Sequence, residues 1–148
     1  MKEVVFSPSS ERLATVGGDG KLIVSDVASG KQCCSTMAHK GGVWDAQFSP
    51  DGKLIATAGW SDVPRGELQE VSHGSKVRLD WKSSGVVRGE MKLWDSSTAE
   101  RRASRVDETN DVYSVAFSPD GVLLATGHSG GAVKIWDVAK LLEHTGAK

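Results

Sequence analysis

The chain has 148 residues, of which 39% are apolar and 25% charged, and its net charge is −1. These values are typical of a globular protein and exclude a global field that would attract nucleic acid or acidic membranes. The N-terminal stretch MKEVVFSPSS has an apolar run of only three residues. We therefore expect neither a signal peptide nor a membrane span, and a cytoplasmic location.

The first predicted unit begins inside a strand that ends at Phe6. Its second strand ends near Thr15, and its third, LIVSD, ends at Asp26. Short apolar runs between Gly, Ser and Pro clusters are typical of antiparallel strands joined by tight turns. Cys33 and Cys34 follow side by side. Because neighbours in a strand point to opposite faces, we expect two unpaired thiols rather than a disulfide or a metal site.

The second predicted unit reads FSPDGKLIATAG from Phe48 and ends its third strand with MKLWD, which contains Trp94. An insertion of about 27 residues, near 61–87, separates the second strand from the third. Within it, KVRLDW and the following VVRGEMKLW have the pattern of an extended hairpin that turns near Ser84-Gly85. KVRLDW imitates the third strand, but the spacing to the next unit assigns that strand to Trp94.

The third predicted unit repeats the second almost word for word, as VYSVAFSPDGVLLATG. Strands are predicted on both sides of SPDG, whose Pro and Gly positions favour a type I turn. A Gly-rich turn at 127–131 leads to a third strand that ends in VKIWD. Only VAKLLEH, near the C-terminus, has a helical pattern.

The block FSP recurs at Phe6, Phe48 and Phe117, with spacings of 42 and 69 residues. Removing the 27-residue insertion makes the second spacing 42 as well. A constant period near 40–45 residues indicates stacked structural repeats. Matched positions in such repeats form the core, so we expect six side chains to be buried between sheets: Phe48, Ala56, Leu93, Phe117, Ala125 and Ile135.

These motifs resemble the WD-repeat family, whose members fold as β-propellers of four-stranded blades. The resemblance covers nearly the whole chain outside the insertion. It implies an all-β fold, an incomplete β-propeller of about three four-stranded antiparallel blades. The expected organisation is one partial WD-repeat domain, 1–148, with repeats at about 1–38, 39–107 and 108–148, the second carrying the insertion at about 61–87.

The resemblance also implies a structural hydrogen-bond network of His, Ser or Thr, Asp and Trp in each blade. The positions that match it are Thr15, Asp19, His39, Thr57, Trp94, Thr126 and Trp136. No unit is complete. Ser25 replaces the first Trp, Arg88 and Gly130 stand at the Asp positions of the second and third units, and Glu108 stands at the third His position. We therefore expect stability to rest mainly on apolar burial.

A propeller closes with about 4–8 blades, and only three repeat starts are visible here. The first repeat starts inside a strand, and the third lacks a fourth strand and any visible capping feature. We expect a fragment of a longer propeller; the alternative is association of copies through the open blade edges.

The expected function is a non-catalytic scaffold that binds another protein or a peptide. The alternative is a truncated regulatory or targeting module of a larger multidomain protein, potentially an enzyme. In WD-repeat proteins the insertion would lie on the same face as the loops between blades, next to exposed aromatic side chains. The alternative is that the insertion is a solvated, partly disordered loop, or unspliced sequence, with no role in recognition. The expected binding face comprises His39, Lys40, Trp44, Trp60, Trp81, Tyr113 and His128.

Other chemistry is not expected. Gly127 to Gly131 matches G-x-S-x-G, but a nucleophile elbow needs a strand followed by a helix, and here a strand follows. Arg101, Arg102 and Arg105 form a basic cluster too small to predict a nucleic-acid site. We expect no enzyme activity, no metal and no cofactor.

Overall fold

The computed structural model describes residues 1–60, 67–73, 76–82, 89–107 and 110–143, with backbone only in the second and third of these ranges. It is built from antiparallel strands, as expected. In chain order the elements are β1 (Glu3–Phe6), β2 (Arg12–Val16), β3 (Lys21–Asp26), β4 (Gln32–Met37), β5 (Val43–Phe48), β6 (Leu54–Trp60), β7 (Glu67–His73), β8 (Lys76–Lys82), β9 (Gly89–Asp95), β10 (Arg101–Asp107), β11 (Val112–Phe117), β12 (Leu123–His128), β13 (Val133–Asp137) and α1 (Val138–Glu143).

Three sheets carry the fold. Their strand orders are β1-β2-β3-β4, β5-β6-β9-β10 and β11-β12-β13. Two therefore have the expected four strands, whereas three strands are described in the third. The chain continues from β13 into α1. The first strands lie side by side, with β5 between β1 and β11.

The insertion contains a separate two-stranded sheet, in which β7 pairs with β8 from Glu67 opposite Lys82 to His73 opposite Lys76. The predicted hairpin around Ser84-Gly85 is therefore wrong, because KVRLDW pairs with the strand before it. The assignment of the third strand is confirmed. β6 pairs directly with β9, and Trp60 lies opposite Gly89.

The SPDG turns explain why the same four residues recur. The N–H of Gly52 donates to the carbonyl of Ser49 at 2.8 Å, and that of Gly121 donates to Ser118 at 2.9 Å. Both glycines have φ of 74°, a left-handed conformation that costs glycine little. In the first unit Ser10 occupies this position with φ of 62°.

The first hydrophobic core lies between the first and second sheets. Alternate residues of β2 and β3 point into it, as the period of two along a strand requires. Its buried residues are Ala14, Val16, Leu22, Val24, Ala38, Val43, Ala46, Phe48, Ile55 and Trp94.

The second core lies between the second and third sheets. It contains the opposite face of β6 and β9, so the second sheet is buried on both faces. α1 contributes Val138 and Leu141, which are buried, and Leu142 packs against them. Apolar residues at i, i+3 and i+4 give this short helix one apolar face. The expectation of no capping feature is thus wrong, because α1 covers part of this core.

The predicted core is correct for half of its members. Phe48, Ala56 and Leu93 are buried, Phe117 and Ala125 are half-buried, and Ile135 is 61% exposed. Ile135 corresponds in register to Leu93, since each is paired with the alanine of its second strand. Leu93 points towards the third sheet, whereas Ile135 points away from the second sheet, and no described element packs there.

Candidate functional site

Two β-bulges lie at the same place in consecutive sheets. Between β5 and β6, Val43 pairs with Gly59 and Asp45 with Ala58, so Trp44 is the extra residue. The pairing of β11 with β12 shifts in the same way between Val112 and Ser114, which makes Tyr113 the extra residue. Bulges redirect a side chain away from the regular sheet face. The fold therefore presents an aromatic ring at this edge of two adjacent blades.

These rings form one aromatic group, which we call the rim cluster: Trp44, Trp60 and Tyr113. The ring centroids of Trp44 and Trp60 are 5.3 Å apart with an interplanar angle of 76°. Those of Trp44 and Tyr113 are 6.1 Å apart at 73°. Edge-to-face packing of this kind stabilises aromatic groups beyond area burial. Tyr113 is 47% exposed, so the cluster reaches the surface.

The surroundings of the rim cluster hold it in place. A Cβ added at Gly41 would lie 2.7 Å from the Trp60 ring, so the loop before β5 fits this ring only with glycine. The hydroxyl of Tyr113 donates to Oδ2 of Asp111 at 2.9 Å. This hydrogen bond and the charge of Asp111 raise the pKa of Tyr113, so the phenol stays neutral.

The ammonium group of Lys2 lies 4.9 Å from the Trp44 ring centroid. Lys2, Trp44 and Tyr113 each stand four residues before the phenylalanine of an FSP block, so they are the same position in three repeats. Trp44 and Tyr113 are in the predicted binding face, but Lys2 is not. The repeat register alone would have been enough to predict Lys2 as a member of this face.

Other residues of the predicted face lie elsewhere. His39 and His128 are buried, with exposed fractions of 0% and 7%, so neither is available to a partner. Their inclusion in the binding face is a wrong prediction, because both imidazoles are used inside the protein. Lys40 is exposed at the start of the loop before β5. The Trp81 side chain lies outside the described part.

In the second blade, His39 belongs to a buried network centred on Thr57. The Thr57 hydroxyl accepts from Nε1 of Trp94 at 2.9 Å and lies 2.8 Å from Nε2 of His39. The other imidazole nitrogen is 3.8 Å from Oε2 of Glu90. Glu90 thus supplies the carboxylate that Arg88, outside the described residues, does not provide.

Lys92 joins this network although its exposed fraction is only 2%. Its Nζ donates to the carbonyl of Ala38 at 2.7 Å and lies 3.4 Å from Oε2 of Glu90. Since a buried ammonium group needs both charge and hydrogen-bond compensation, these contacts explain how Lys92 is accommodated.

The third blade builds a similar network from different chain positions. Nε1 of Trp136 donates to Thr126 at 2.9 Å, and the Thr126 hydroxyl is 2.7 Å from Nε2 of His128. Nδ1 of His128 and Nζ of Lys134 lie 2.9 Å and 2.7 Å from Oδ2 of Asp107. The expectation of an empty His position at Glu108 misses this arrangement. The imidazole comes from two residues after Thr126 on the same strand face.

The first blade lacks this network among its described residues. Thr15 lies on the outer face of the first sheet, half-buried, and its partner strand carries Ser25 where the other sheets have tryptophan. Asp19 accepts a hydrogen bond from the N–H of Lys21 at 3.3 Å, within the β2–β3 turn.

Burial governs the charge of His128. Desolvation is the main cause that lowers its pKa below the ordinary value, and the charge of Lys134 acts in the same direction. Asp107 opposes this shift, but its carboxylate already pairs with Lys134. Because Trp136 donates to Thr126, the Thr126 hydroxyl can donate to a neutral imidazole. Protonating Nε2 would leave that hydroxyl proton without this acceptor.

The Thr126–His128–Asp107 line has the order of a nucleophile, a base and an orienting acid. Thr126 is only 1% exposed, however, so no substrate carbonyl can reach its hydroxyl in this structure. Ser129 of the G-x-S-x-G match lies in a 3-10 turn between β12 and β13, and its hydroxyl accepts from the N–H of Asp111 at 3.1 Å. The strand that follows this turn is the one predicted.

A polar cleft of about 550 Å³ lies at the opposite ends of the strands from the rim cluster. Its lining mixes both signs of charge: Glu11, Arg12, Asp51, Lys53, Asp95 and Arg102. Arg12 donates to the carbonyl of Ser96 at 3.1 Å, and Arg102 lies 3.6 Å from Asp95. The two arginines of the cleft are thus engaged in contacts within the protein.

Neither a metal centre nor a membrane helix is found in the described ranges. No group of three or more His, Cys, Asp or Glu side chains there could hold a metal ion. In the same ranges, no helix has the length and apolar character needed to span a bilayer. Cys33 is exposed and Cys34 half-buried, and both are free thiols.

Comparison with known proteins gives a consistent result. Residues 30–63 and 102–137 match the WD40 family, described as WD domain, G-beta repeat. The chain is 31% identical to Protein HIR1 of Yarrowia lipolytica, over 90% of this chain and 14% of that protein. It is 29% identical to Pre-mRNA-processing factor 19 homolog 2 of Arabidopsis thaliana, over 93% and 31%. It is 31% identical to WD repeat and SOCS box-containing protein 1 of Xenopus tropicalis, over 91% and 26%. The chain thus spans less than a third of these relatives.

Solved structures share the fold. Sqt1 of Chaetomium thermophilum superimposes with a TM-score of 0.68 at 23% identity, over 95% of this chain and 33% of that one. The computationally designed Ika4 protein gives a TM-score of 0.60 at 15% identity, over 91% and 64%. The matched family segments each begin in or next to the last strand of one sheet and continue into the next sheet. The chain therefore belongs to the WD-repeat family, and its three sheets are consecutive blades of a β-propeller.

Proposed function

We propose that this chain is a non-catalytic scaffold that binds another protein or a peptide through the rim cluster. The observation that carries the proposal is the pair of matched bulges, which bring Trp44 and Tyr113 together at one edge of two blades. Bulges are over-represented next to functional sites, where they aim a side chain.

The rim cluster has the properties of a recognition surface. Tryptophan and tyrosine supply large contact areas at low entropic cost and dominate the energetics of many interfaces. Here they are held by two packed sheets, so little ordering is needed on binding. Trp60 also ends β6, and the insertion follows it directly in the chain.

The absence of catalysis is part of this proposal. The Thr126–His128–Asp107 line joins strands of two blades and is buried, which supports a structural role. A nucleic-acid partner is not proposed, because two arginines of the basic cluster have internal contacts. Arg102 lies near Asp95, and Arg105 donates to the carbonyl of Ser104. A membrane partner is not proposed either.

A peptide-display selection tests the proposal. A random peptide library is selected against the wild-type chain, and the recovered peptides are measured by fluorescence anisotropy against Tyr113→Ala and Phe6→Ala. Phe6 is the matched control, since it is an exposed aromatic at the far end of its strand. We expect Tyr113→Ala to weaken binding by about tenfold or more, and Phe6→Ala to leave it unchanged. Peptides that bind both variants equally would overturn the use of the rim.

A second proposal is that the chain serves as a regulatory or targeting module of a larger protein. The name of one relative states a SOCS box beside its WD repeats, and the chain spans only 26% of that relative. Sequencing the full-length transcript tests this. A further domain in the same reading frame would support it, and a transcript limited to these 148 residues would contradict it.

A cytoplasmic location is also proposed, on the evidence of the two free thiols. Cys33 is exposed, and exposed thiols persist as such in reducing compartments. Imaging of a tagged chain tests this, and accumulation in a secretory compartment would contradict it.

A further inference from the structure

We propose that the rim cluster recognises a basic side chain, lysine or arginine, of a peptide segment, and that Lys2 occupies this position in the free protein. This inference rests on the binding function proposed above and names the chemistry of the partner. It starts from the contact of the Lys2 ammonium with the Trp44 ring at 4.9 Å. A cation over the face of an indole is attracted by the ring quadrupole, and tryptophan is the best of the aromatic residues for this.

The charges next to the rings favour the same ligand. Glu3 and Asp45 follow Lys2 and Trp44 directly in the chain, and Asp111 lies beside Tyr113. The two carboxylate oxygens of Asp45 accept hydrogen bonds from the N–H groups of Ala46 and Val115, at 2.9 Å each. These two hydrogen bonds hold the Asp45 carboxylate in place.

Asp111 has capacity left for a donor. Its Oδ2 accepts from Tyr113, whereas Oδ1 is buried and has no hydrogen-bond partner within the described residues. Oδ1 is therefore closed to a ligand, but a carboxylate oxygen can accept two hydrogen bonds, so Oδ2 beside the exposed Tyr113 hydroxyl can take a second donor. A lysine or arginine side chain that lies across the Tyr113 ring could place an N–H group at this carboxylate.

The repeat register explains why Lys2 mimics a ligand. It stands at the position that holds Trp44 and Tyr113 in the next two blades, so its side chain emerges at the same edge. Instead of extending the aromatic surface, it places a cation on the neighbouring ring. A competing basic side chain must displace it, so removal of Lys2 should strengthen binding of a basic ligand.

The test uses the peptides selected against the intact 148-residue chain. Each basic residue is replaced in turn by norleucine, which keeps the alkyl stem and removes the charge. Binding is measured to wild type, Lys2→Ala and the control Lys31→Ala, an exposed lysine in the β3–β4 turn. We expect the norleucine peptide to bind about three- to tenfold more weakly, which is the range of a partly desolvated cation–π contact. Lys2→Ala should bind the basic peptide more tightly by a similar factor, and Lys31→Ala should not.

The outcomes separate this inference from the binding function. Selected peptides that need Tyr113 but tolerate norleucine at every basic position would overturn the basic ligand and leave the scaffold standing. Peptides that bind Tyr113→Ala as well as wild type would overturn the rim itself. Equal tightening by Lys2→Ala and Lys31→Ala would show a general charge effect and contradict the role of Lys2. Circular dichroism melting of each variant confirms that it is folded.

Discussion

The turn position filled by Ser10, Gly52 and Gly121 shows how one residue sets local strain. All three have positive φ, but only Ser10 carries a side chain. A left-handed conformation costs an L-residue about 1–2 kcal/mol. Ser10→Gly relieves this strain, but glycine also has more freedom in the unfolded state, which offsets part of the gain. We therefore expect a net stabilisation of up to about 1 kcal/mol. Urea denaturation measures this, with Gly52→Ser as the matched reverse change, which should destabilise. A loss of stability with Ser10→Gly would contradict the strain.

His128 gives a prediction on pH. Its folded pKa is lowered from the ordinary value of 6.5, so between these two pKa values the unfolded chain binds more protons than the folded one. Stability therefore falls as pH falls through about 6.5, by at most about 1.4 kcal/mol per pH unit for one proton. We expect His128→Gln to flatten the denaturation profile between about pH 7.5 and 5. If that variant does not fold, NMR titration of the His128 ring measures the pKa directly. A value above 6.5 would contradict the burial effect.

The phenylalanines of the three FSP blocks occupy the same position in each repeat but differ in burial. Phe48 is buried between two sheets, Phe117 is half-buried, and Phe6 is exposed on an outer face. We expect Phe48→Ala to cost about 3–5 kcal/mol, Phe117→Ala less, and Phe6→Ala close to nothing. Chemical denaturation of the three variants gives the order directly. Equal costs at the three positions would show that all three sites are packed alike, against the exposure seen here.

The insertion is expected to be independent of the blade that carries it. β6 pairs with β9 along its whole length, and β7 pairs with β8. Because Trp60 and Gly89 are directly opposite, removing 61–87 would leave only one residue to turn the chain. A two-residue turn fits this geometry. We expect replacement of 61–88 by Asn-Gly to change stability by less than about 1 kcal/mol, since loop-closure entropy varies slowly with length. An unfolded variant would show that the insertion supports the blade.

Much of the element layout could be predicted from the repeat. Equal spacing located the strands around each FSP, and Pro and Gly located the turns, because these depend on local backbone preferences. The networks could not be found in this way. Glu90 stands two residues after the Asp position at Arg88, and His128 stands two residues after Thr126 rather than at the His position, so both need side-chain geometry rather than register. The bulges at Trp44 and Tyr113 could not be predicted either, since one extra residue in a strand does not produce a recognisable change in the hydrophobic pattern.

At the scale of the molecule, the first and third sheets each have one uncovered face among the described residues. Val4 and Phe6 are exposed on the first sheet, and Val133 and Ile135 on the third. The second sheet has a neighbouring sheet on each side, and there the matching positions, such as Phe48 and Leu93, are buried. The outer faces thus have the residues of a blade interface.

We therefore expect the isolated chain to self-associate. Apolar faces and unpaired strand edges favour contact between copies, and each outer face matches one that packs inside the array. Sedimentation velocity should show species above 15.7 kDa whose share rises with concentration. Ile135→Ser and Phe6→Ser, alone and together, should shift the distribution towards monomer because each removes one apolar side chain from an outer face. Tyr113→Ser, at the rim, is the control and should leave association unchanged. A sharp, cooperatively unfolding monomer across the micromolar range would refute the prediction and show that the outer faces tolerate water.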